Sequence, residues 1–361
     1  MPTPTFPDAL DDLIVGSVKD YHAHKGTWSD ISMNFPEYCF AEKMLMGKKT
    51  TVSDPSTSLI FDLQYANSGT LRTVGHYDTD SEERRNILVQ GEVKWTSQNI
   101  GIYFDKLETV IGKGKTEIVD HIQAQIHGMY NVYFEGMSVK MWDSPASSSD
   151  ADRDLLGIPH WVVQHATEGF NGGDPANFSA GAAGIDSDTY TGWKNYSGTY
   201  SAIDHADLVT KVIRAMRRCD FKPPHNYAEA VKQGGKYQHF TTEAVYEALD
   251  LLLRGQNDNL GSDLGAFRGQ ALLKSVPITI SWELTKSTLS DGTANPAYDA
   301  NDPWYGIYWP SFKINFIKGY ERKITGPERS ATGRFVRKIN LDSWNQMYNI
   351  NRRNNFVLYQ A

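Results

Sequence analysis

Cysteine is nearly absent from this sequence: its 361 residues hold two, Cys39 and Cys219. Two thiols cannot build a disulfide framework, so the chain reads as one that folds in a reducing, intracellular compartment. Long apolar runs are missing too. No stretch of about 18 apolar residues occurs, which excludes a membrane-spanning helix. Residues 1–21 lack a basic start followed by an apolar core, so no secretory signal is expected. Basic charge is in deficit, with 36 Lys and Arg against 43 Asp and Glu and a net charge of −7. That balance argues against a whole surface built to hold nucleic acid. Catalytic motifs are lacking as well. There is no Gly-x-Ser-x-Gly elbow and no His-Glu-x-x-His run, and Gly169, Gly172, Gly173, Gly181 and Gly184 fit neither a phosphate loop nor a dinucleotide fingerprint. No cofactor and no metal is therefore expected. Asn177 and Asn195 match the glycosylation pattern by chance on this reading.

What the sequence does hold is pattern. Ile118, Ile122, Ile126, Met129, Tyr133, Met137 and Met141 recur every three or four residues, which predicts one long helix over 115–142 with a single apolar stripe. Before it, residues 57–109 switch to period two. Leu59, Phe61, Leu63 and Tyr65 alternate with polar residues, and so do Ile87, Val89, Val93 and Trp95, then Ile100, Ile102 and Phe104. The first two runs predict a two-stranded ribbon whose charged tip carries Glu82, Glu83, Arg84 and Arg85. An isolated ribbon is marginal in water, so it either lies across another copy or packs on its own domain. Residues 1–52 read as an arm. Leu10, Leu13, Ile14, Val18 and Tyr21 make one turn-spaced stripe, while the apolar residues after it, Trp28 and Phe35 among them, follow no clean period and need a surface to lie on, their own body or a neighbour.

Downstream, an acidic linker spans 143–154. Its Asp150, Asp152 and Asp154 imitate a calcium loop, but Leu155 and Trp161 stand where Gly and Glu are required, so it reads as solvated linker. A loop rich in Gly, Asn, Ser and Ala precedes two helices, one capped by Asp204 and ending near Cys219, one capped by Thr242 and closed by Gly255. Strands follow over 272–280, 304–316, 335–350 and at the C-terminus, which is expected to return to the long helix. Charge is uneven. Residues 311–361 hold ten of the 36 basic and three of the 43 acidic residues, leaving 26 against 40 in the first 310. Opposite potentials of this kind suit contact between copies of one chain; a solvated face is the bland alternative, and a nucleic-acid patch is disfavoured because these basic residues lack interleaved aromatics.

Candidate chemistry is thin. His22 with His24 and His160 with His165 read as surface, loop or core histidines rather than metal pairs. Asp143 and Glu168 could serve as acid and base of a glycan-acting hydrolase with an aromatic surface, an alternative that surface acids make weak. Candidate contacts between copies are Arg84, Arg85, Glu82, Glu83, Trp28 and Phe35.

The order of these pieces resembles the major capsid protein of tailed bacteriophages, the Hong Kong 97-type fold. The resembling segments are Leu155–Val163, Gly192–Asn195, the helix from Asp204, Trp304–Trp309, Phe312–Phe316, and the end from Trp344 through Asn351-Arg-Arg-Asn-Asn-Phe-Val-Leu358. The resemblance implies an α+β fold with an N-terminal arm (1–52), an extended β-hairpin loop (53–109), a peripheral domain with the long spine helix (110–145), an axial domain (146–319) and a return to the peripheral domain (320–361). It implies no enzyme but a virion protein, assembled in the host cytoplasm, whose hexamers and pentamers close into an icosahedral shell around double-stranded DNA. Implied partners are sister copies, a separate scaffolding protein, a portal, a decoration protein in some relatives, and packaged DNA through nonspecific contact. No membrane is involved. Some relatives join a loop Lys to an Asn, but this ribbon tip has no Lys, so no such crosslink is expected. An encapsulin-like cellular nanocompartment shell shares the same fold and is the runner-up.

Overall fold

The computed structural model describes residues 50–66, 73, 75–76, 86–105, 115–150, 153–220, 237–255, 272–274, 276–289, 292–329 and 336–361, all but 50–52, 105, 115–121 and 253–255 with their side chains. Strands in chain order are β1 (Thr50–Ser53), β2 (Ser58–Gln64), β3 (Leu88–Lys94), β4 (Thr96–Asp105), β5 (Gly169–Gly172), β6 (Asn195–Tyr200), β7 (Tyr237–Thr241), β8 (Leu272–Leu273), β9 (Val276–Ile280), β10 (Trp304–Tyr308), β11 (Phe312–Ile317), β12 (Lys323–Arg329), β13 (Val336–Asn349) and β14 (Phe356–Gln360).

The long helix runs Lys115–Met141 and spans about 40 Å at 1.5 Å per residue. Ile122, Ile126, Met129, Tyr133, Met137 and Met141 are all buried, as the stripe predicts, while Val132 on the far side is exposed. The stripe lies against a five-stranded sheet of β1, β11, β13, β12 and β4. Alternate residues of β13, Ile339, Leu341 and Ser343, point inward, and the Tyr133 hydroxyl meets Ser343 Oγ at 3.0 Å. Burial pushes the Tyr133 phenol up to about 12. Sixteen residues past the helix, at Gly157, the chain passes back against the helix end. A Cβ at Gly157 would collide with the carbonyls of Asp143, Met141 and Lys140, so only glycine fits there.

The second sheet has seven strands in the order β5-β6-β14-β10-β7-β9-β8. Its two faces do different jobs. Helix Thr210–Cys219 and helix Glu243–Gly255 cover one face, with Val212, Ala215, Val245 and Leu249 packed on Tyr196, Trp304, Phe356 and Leu358. On the other face Trp142, just past the long helix, wedges between Tyr305 (5.2 Å) and Phe240 (5.6 Å), so the two sheets share one core. Gly306 leaves room for the Phe356 ring on the helix-covered side.

Several expectations change at this level. Asp204 does cap as predicted, its Oδ1 accepting from the Asp207 amide at 2.6 Å, ahead of a π-turn at His205–Val209. Thr242 stands at the start of the second helix, its carbonyl accepting from the Tyr246 amide at 3.1 Å, while its hydroxyl donates to Asp302 at 2.7 Å. The strand expected over 272–280 is split into β8 and β9, which pair antiparallel. The C-terminus does not return as one piece. β13 lies beside the long helix, but β14 crosses to the seven-stranded sheet, parallel to β6 and antiparallel to β10. Phe356, Val357 and Leu358 are all buried, the run of an interior strand covered on both faces rather than the alternation of β13. β11, conversely, already belongs to the five-stranded sheet.

The Asn351–Asn355 turn joins β13 to β14 and is held by a buried cation. Arg352 is fully buried, donates from Nε to the Trp161 carbonyl (2.7 Å) and from Nη2 to the Gly173 carbonyl (2.6 Å), and lies over the Trp193 ring at 5.6 Å. Burial lowers its pKa to about 10, still charged at neutral pH. Cys219 is free and buried.

Candidate assembly surface

Among the described residues, two faces built largely from period-two strands present exposed apolar side chains. The ribbon β2–β3 is in register from Ser58↔Lys94 to Gln64↔Leu88. Its inner side carries Leu59, Phe61, Leu63, Val89 and Val93, packed on the chain's own body. Phe61 stacks at 5.7 Å from Tyr348 and 6.4 Å from Trp193, and the Glu92 amide donates to the Ala183 carbonyl at 3.0 Å. At its base, therefore, over the described residues, the ribbon packs on its own chain, the second of the two arrangements its sequence leaves open. Because the side-chain period is two, the same strands turn Ile60, Asp62, Gln64, Leu88, Gln90 and Glu92 outward, with Ile60 55% and Leu88 53% exposed. Beneath the ribbon lies a cavity of about 670 Å³ bounded by Tyr65, Tyr190, Trp193, Ile350 and Arg353 among others. Tyr65 meets Tyr190 edge to face at 4.8 Å there.

The second open face is the side of the five-stranded sheet turned away from the long helix. β4 pairs with β13 over ten residues, Thr96↔Asn345 to Asp105↔Val336, which places Tyr103 opposite Lys338 and Asn99 opposite Asp342. Tyr103 is 59%, Trp344 42% and Tyr320 41% exposed. The rings are ordered by lysines: Lys338 Nζ lies 5.7 Å from the Tyr103 ring and Lys323 Nζ 4.9 Å from that of Tyr320, which in turn stacks 5.6 Å from Trp344. Asp342 is held by Asn99 and, at 3.0 Å, by Thr325. Covering these three rings would remove roughly 250–300 Å² from water, about 7 kcal/mol gross before ordering costs. The face is aromatic and paired in charge, suited to a protein partner rather than to a small molecule.

The residues singled out from sequence divide clearly. Glu82, Glu83, Arg84, Arg85, Trp28 and Phe35 lie outside the described residues, as do His22, His24 and Cys39. His160 is a core histidine, packed on Trp161 and Phe178, with its pKa lowered to about 3 by burial and by Arg352; His165 sits in a loop, its Nδ1 accepting from the Thr167 amide. Among the described residues no group of three His, Cys, Asp or Glu is placed to hold a metal ion. Asp143 and Glu168 do not share a cleft. Asp143 borders a cavity of about 360 Å³ with Trp142, Tyr298, Asp299 and Tyr305, and burial raises its carboxyl. Glu168 is not on that lining. Its partial burial works to raise its pKa, but hydrogen bonds from Tyr196 (2.7 Å) and Arg214 (2.9 Å) outweigh this and hold it below the usual carboxylate range. In the acidic linker Asp154 pairs with Lys140 at 2.8 Å and Asp150 accepts from Ser147 at 2.6 Å. Sequence reading missed the Tyr103–Tyr320–Trp344 face. Its signal was the alternation itself: the exposed partners of a half-buried strand are aromatic where polar residues are expected.

No protein-family model matches this sequence, and no curated protein does. Solved structures do match, nearly end to end. The chain superposes on the Cyanophage A-1(L) capsid asymmetric unit with a TM-score of 0.60 at 12% identity, over 93% of this chain and 97% of that one. It superposes on the capsid of a native GTA particle at 0.56 and 9% identity, over 94% and 96%, and on the capsid of an empty GTA particle at 0.53 and 9%, over 96% and 98%. These likenesses show the fold, an α+β capsid-protein fold of the Hong Kong 97 type.

Proposed function

We propose that this chain is the major capsid protein of a tailed-phage-type particle, a structural subunit that assembles as hexamers and pentamers into an icosahedral shell around double-stranded DNA. The single observation that carries the reading is a capsid-protein fold followed over more than nine-tenths of this chain and of each matched chain. The open ribbon face and the lysine-ordered aromatic face support it, because both present apolar area that sister copies would cover. Assembly then works by many weak contacts acting together: once one face docks, the others are held at high effective concentration. A separate scaffolding protein, a portal and assembly in a host cytoplasm belong to the same proposal.

The test is expression of the full chain, with and without a co-expressed scaffold, followed by sedimentation and negative-stain microscopy. Closed particles tens of nanometres across are the expected result. A chain that stays monomeric in every assembly condition would overturn the reading. Within it, Arg84→Glu combined with Arg85→Glu should lower particle yield at least tenfold while the circular dichroism of the subunit stays unchanged; unaltered yield would remove the ribbon tip from the contacts.

A further inference from the structure

We infer that one face of the seven-stranded sheet's helical layer, built around Arg217, Arg218 and Arg353, binds the phosphate backbone of double-stranded DNA. The inference rests on the shell reading for its partner and adds where that partner is met. Four stretches that are far apart in sequence converge here. Arg353 lies 4.3 Å over the Phe170 ring, Phe170 packs edge to face on Tyr196 at 5.5 Å, and Arg218 lies 5.9 Å from the Tyr196 ring. Two exposed cations thus sit on two rings, one of them, Tyr196, fully buried beneath the surface.

Arg214, Arg217 and Arg218 stand at three- and four-residue spacing on helix Thr210–Cys219, so they share a side of it. All three are exposed, and so is Arg353. One of the four is already spoken for: Arg214 makes a forked ion pair with Glu168, at 2.9 and 3.0 Å. Among the described residues, no ion pair engages Arg217, Arg218 or Arg353. A guanidinium lying on a ring is fixed in position while the edge of its planar fork stays free, the geometry that meets a phosphate with two parallel hydrogen bonds.

Charge makes the location specific. The chain carries −7 overall, so a polyanion is repelled by most of its surface and must find a local positive patch. Among the described residues, the acids near these arginines include Glu168, which Arg214 engages, Asp220 at the helix end, and Asp62, which borders the same cavity as Arg353. On the other open face the cations are lysines, Lys323 opposite Asp342 and Lys338 opposite Tyr103, point charges without the planar fork that meets a phosphate with two bonds. Contact of this kind reads backbone charge and not sequence, as a shell holding any packaged DNA would need.

The test titrates the soluble full chain against a 20-base-pair duplex by fluorescence anisotropy between 50 and 200 mM NaCl. Neutralising the three arginines in R217Q/R218Q/R353Q should weaken binding at 50 mM salt at least tenfold and flatten the log–log salt dependence by about 2.7, at about 0.9 per phosphate contact. K323Q/K338Q, on the other open face, should leave both unchanged. If the triple variant does not fold by circular dichroism, R217Q and R353Q alone should each flatten the slope by about 0.9. Equal affinity and slope in the arginine variants, no binding by the unaltered chain at 50 mM salt, or an equal loss in K323Q/K338Q would each overturn the inference. Particle formation is scored separately: particles with unaltered DNA binding in the variants defeat this inference alone, whereas a chain that binds DNA through these arginines and never assembles defeats the shell reading alone.

Discussion

Arg352 is the position where a single substitution should cost the most. It is fully buried, no carboxylate pairs with it among the described residues, and it holds the turn that sends β14 from one sheet into the other. Arg352→Ala removes two short charge-assisted hydrogen bonds and orphans the carbonyls of Trp161 and Gly173. Each such loss costs about 1.5–3 kcal/mol, so about 3–6 kcal/mol in all. The cavity left by the side chain adds to this. Relief of the buried charge works the other way, and the downward shift of its pKa to about 10 shows that the fold bears a real desolvation cost. A net loss of about 4 kcal/mol is expected. For a chain of this length the unfolding entropy is about 0.75 kcal/mol/K, so the melting temperature should fall by about 5 °C. Arg352→Met, which fills the space without the charge, should lose less than the alanine variant. Differential scanning calorimetry on unassembled subunits reads both. An alanine variant within 1 °C of the unaltered chain, or a methionine variant worse than alanine, would refute the assignment of this turn to Arg352.

Other outcomes follow from the same coordinates. His160 and His239 are buried and neutral, each with its pKa lowered to about 3, first by burial. Between pH 6.5 and 3 the unfolded chain therefore binds more protons than the folded one, and subunit stability should fall with acid by up to about 1.4 kcal/mol per pH unit for each histidine, with no contribution above pH 6.5; urea midpoints at pH 7, 5.5 and 4.5 check this, and His239→Gln should flatten the slope. Gly157→Ala should lower soluble yield sharply, because its methyl would meet three backbone carbonyls; a melting temperature within 2 °C of the parent would contradict the packing at the end of the long helix. Asp204→Ala should cost about 1–2 kcal/mol by removing the bond to the Asp207 amide, whereas Thr242→Ala should act through Asp302 and be rescued in part by Asp302→Ala.

Much of the fold was legible because it is written in period. The long helix announced itself through a stripe six turns long, and the ribbon and β13 through alternation, since each has one buried and one open face. What failed was non-local. Nothing near Thr242 shows that Asp302 will claim its hydroxyl, and nothing in Phe356-Val-Leu states which sheet will receive an all-apolar strand. Arg352 counts as one more basic residue in a sum over 311–361, although its charge never reaches the surface. A nucleic-acid patch over 311–361 reads as disfavoured for want of interleaved rings, yet the rings beside Arg353 and Arg218 come from residues 170 and 196, brought in by pairing of β5, β6 and β14. Of the six contact residues chosen from sequence, all fall outside the described residues, and the open faces found instead were selected by exposure.

The central claim is that sister copies cover the surfaces this chain leaves bare, and a cryo-electron microscopy reconstruction of particles formed by the purified chain tests it most directly. The account predicts density from a neighbouring copy over Tyr103, Tyr320 and Trp344 at every subunit position. A closed shell in which those three rings face open solvent, or no shell at all, would contradict it.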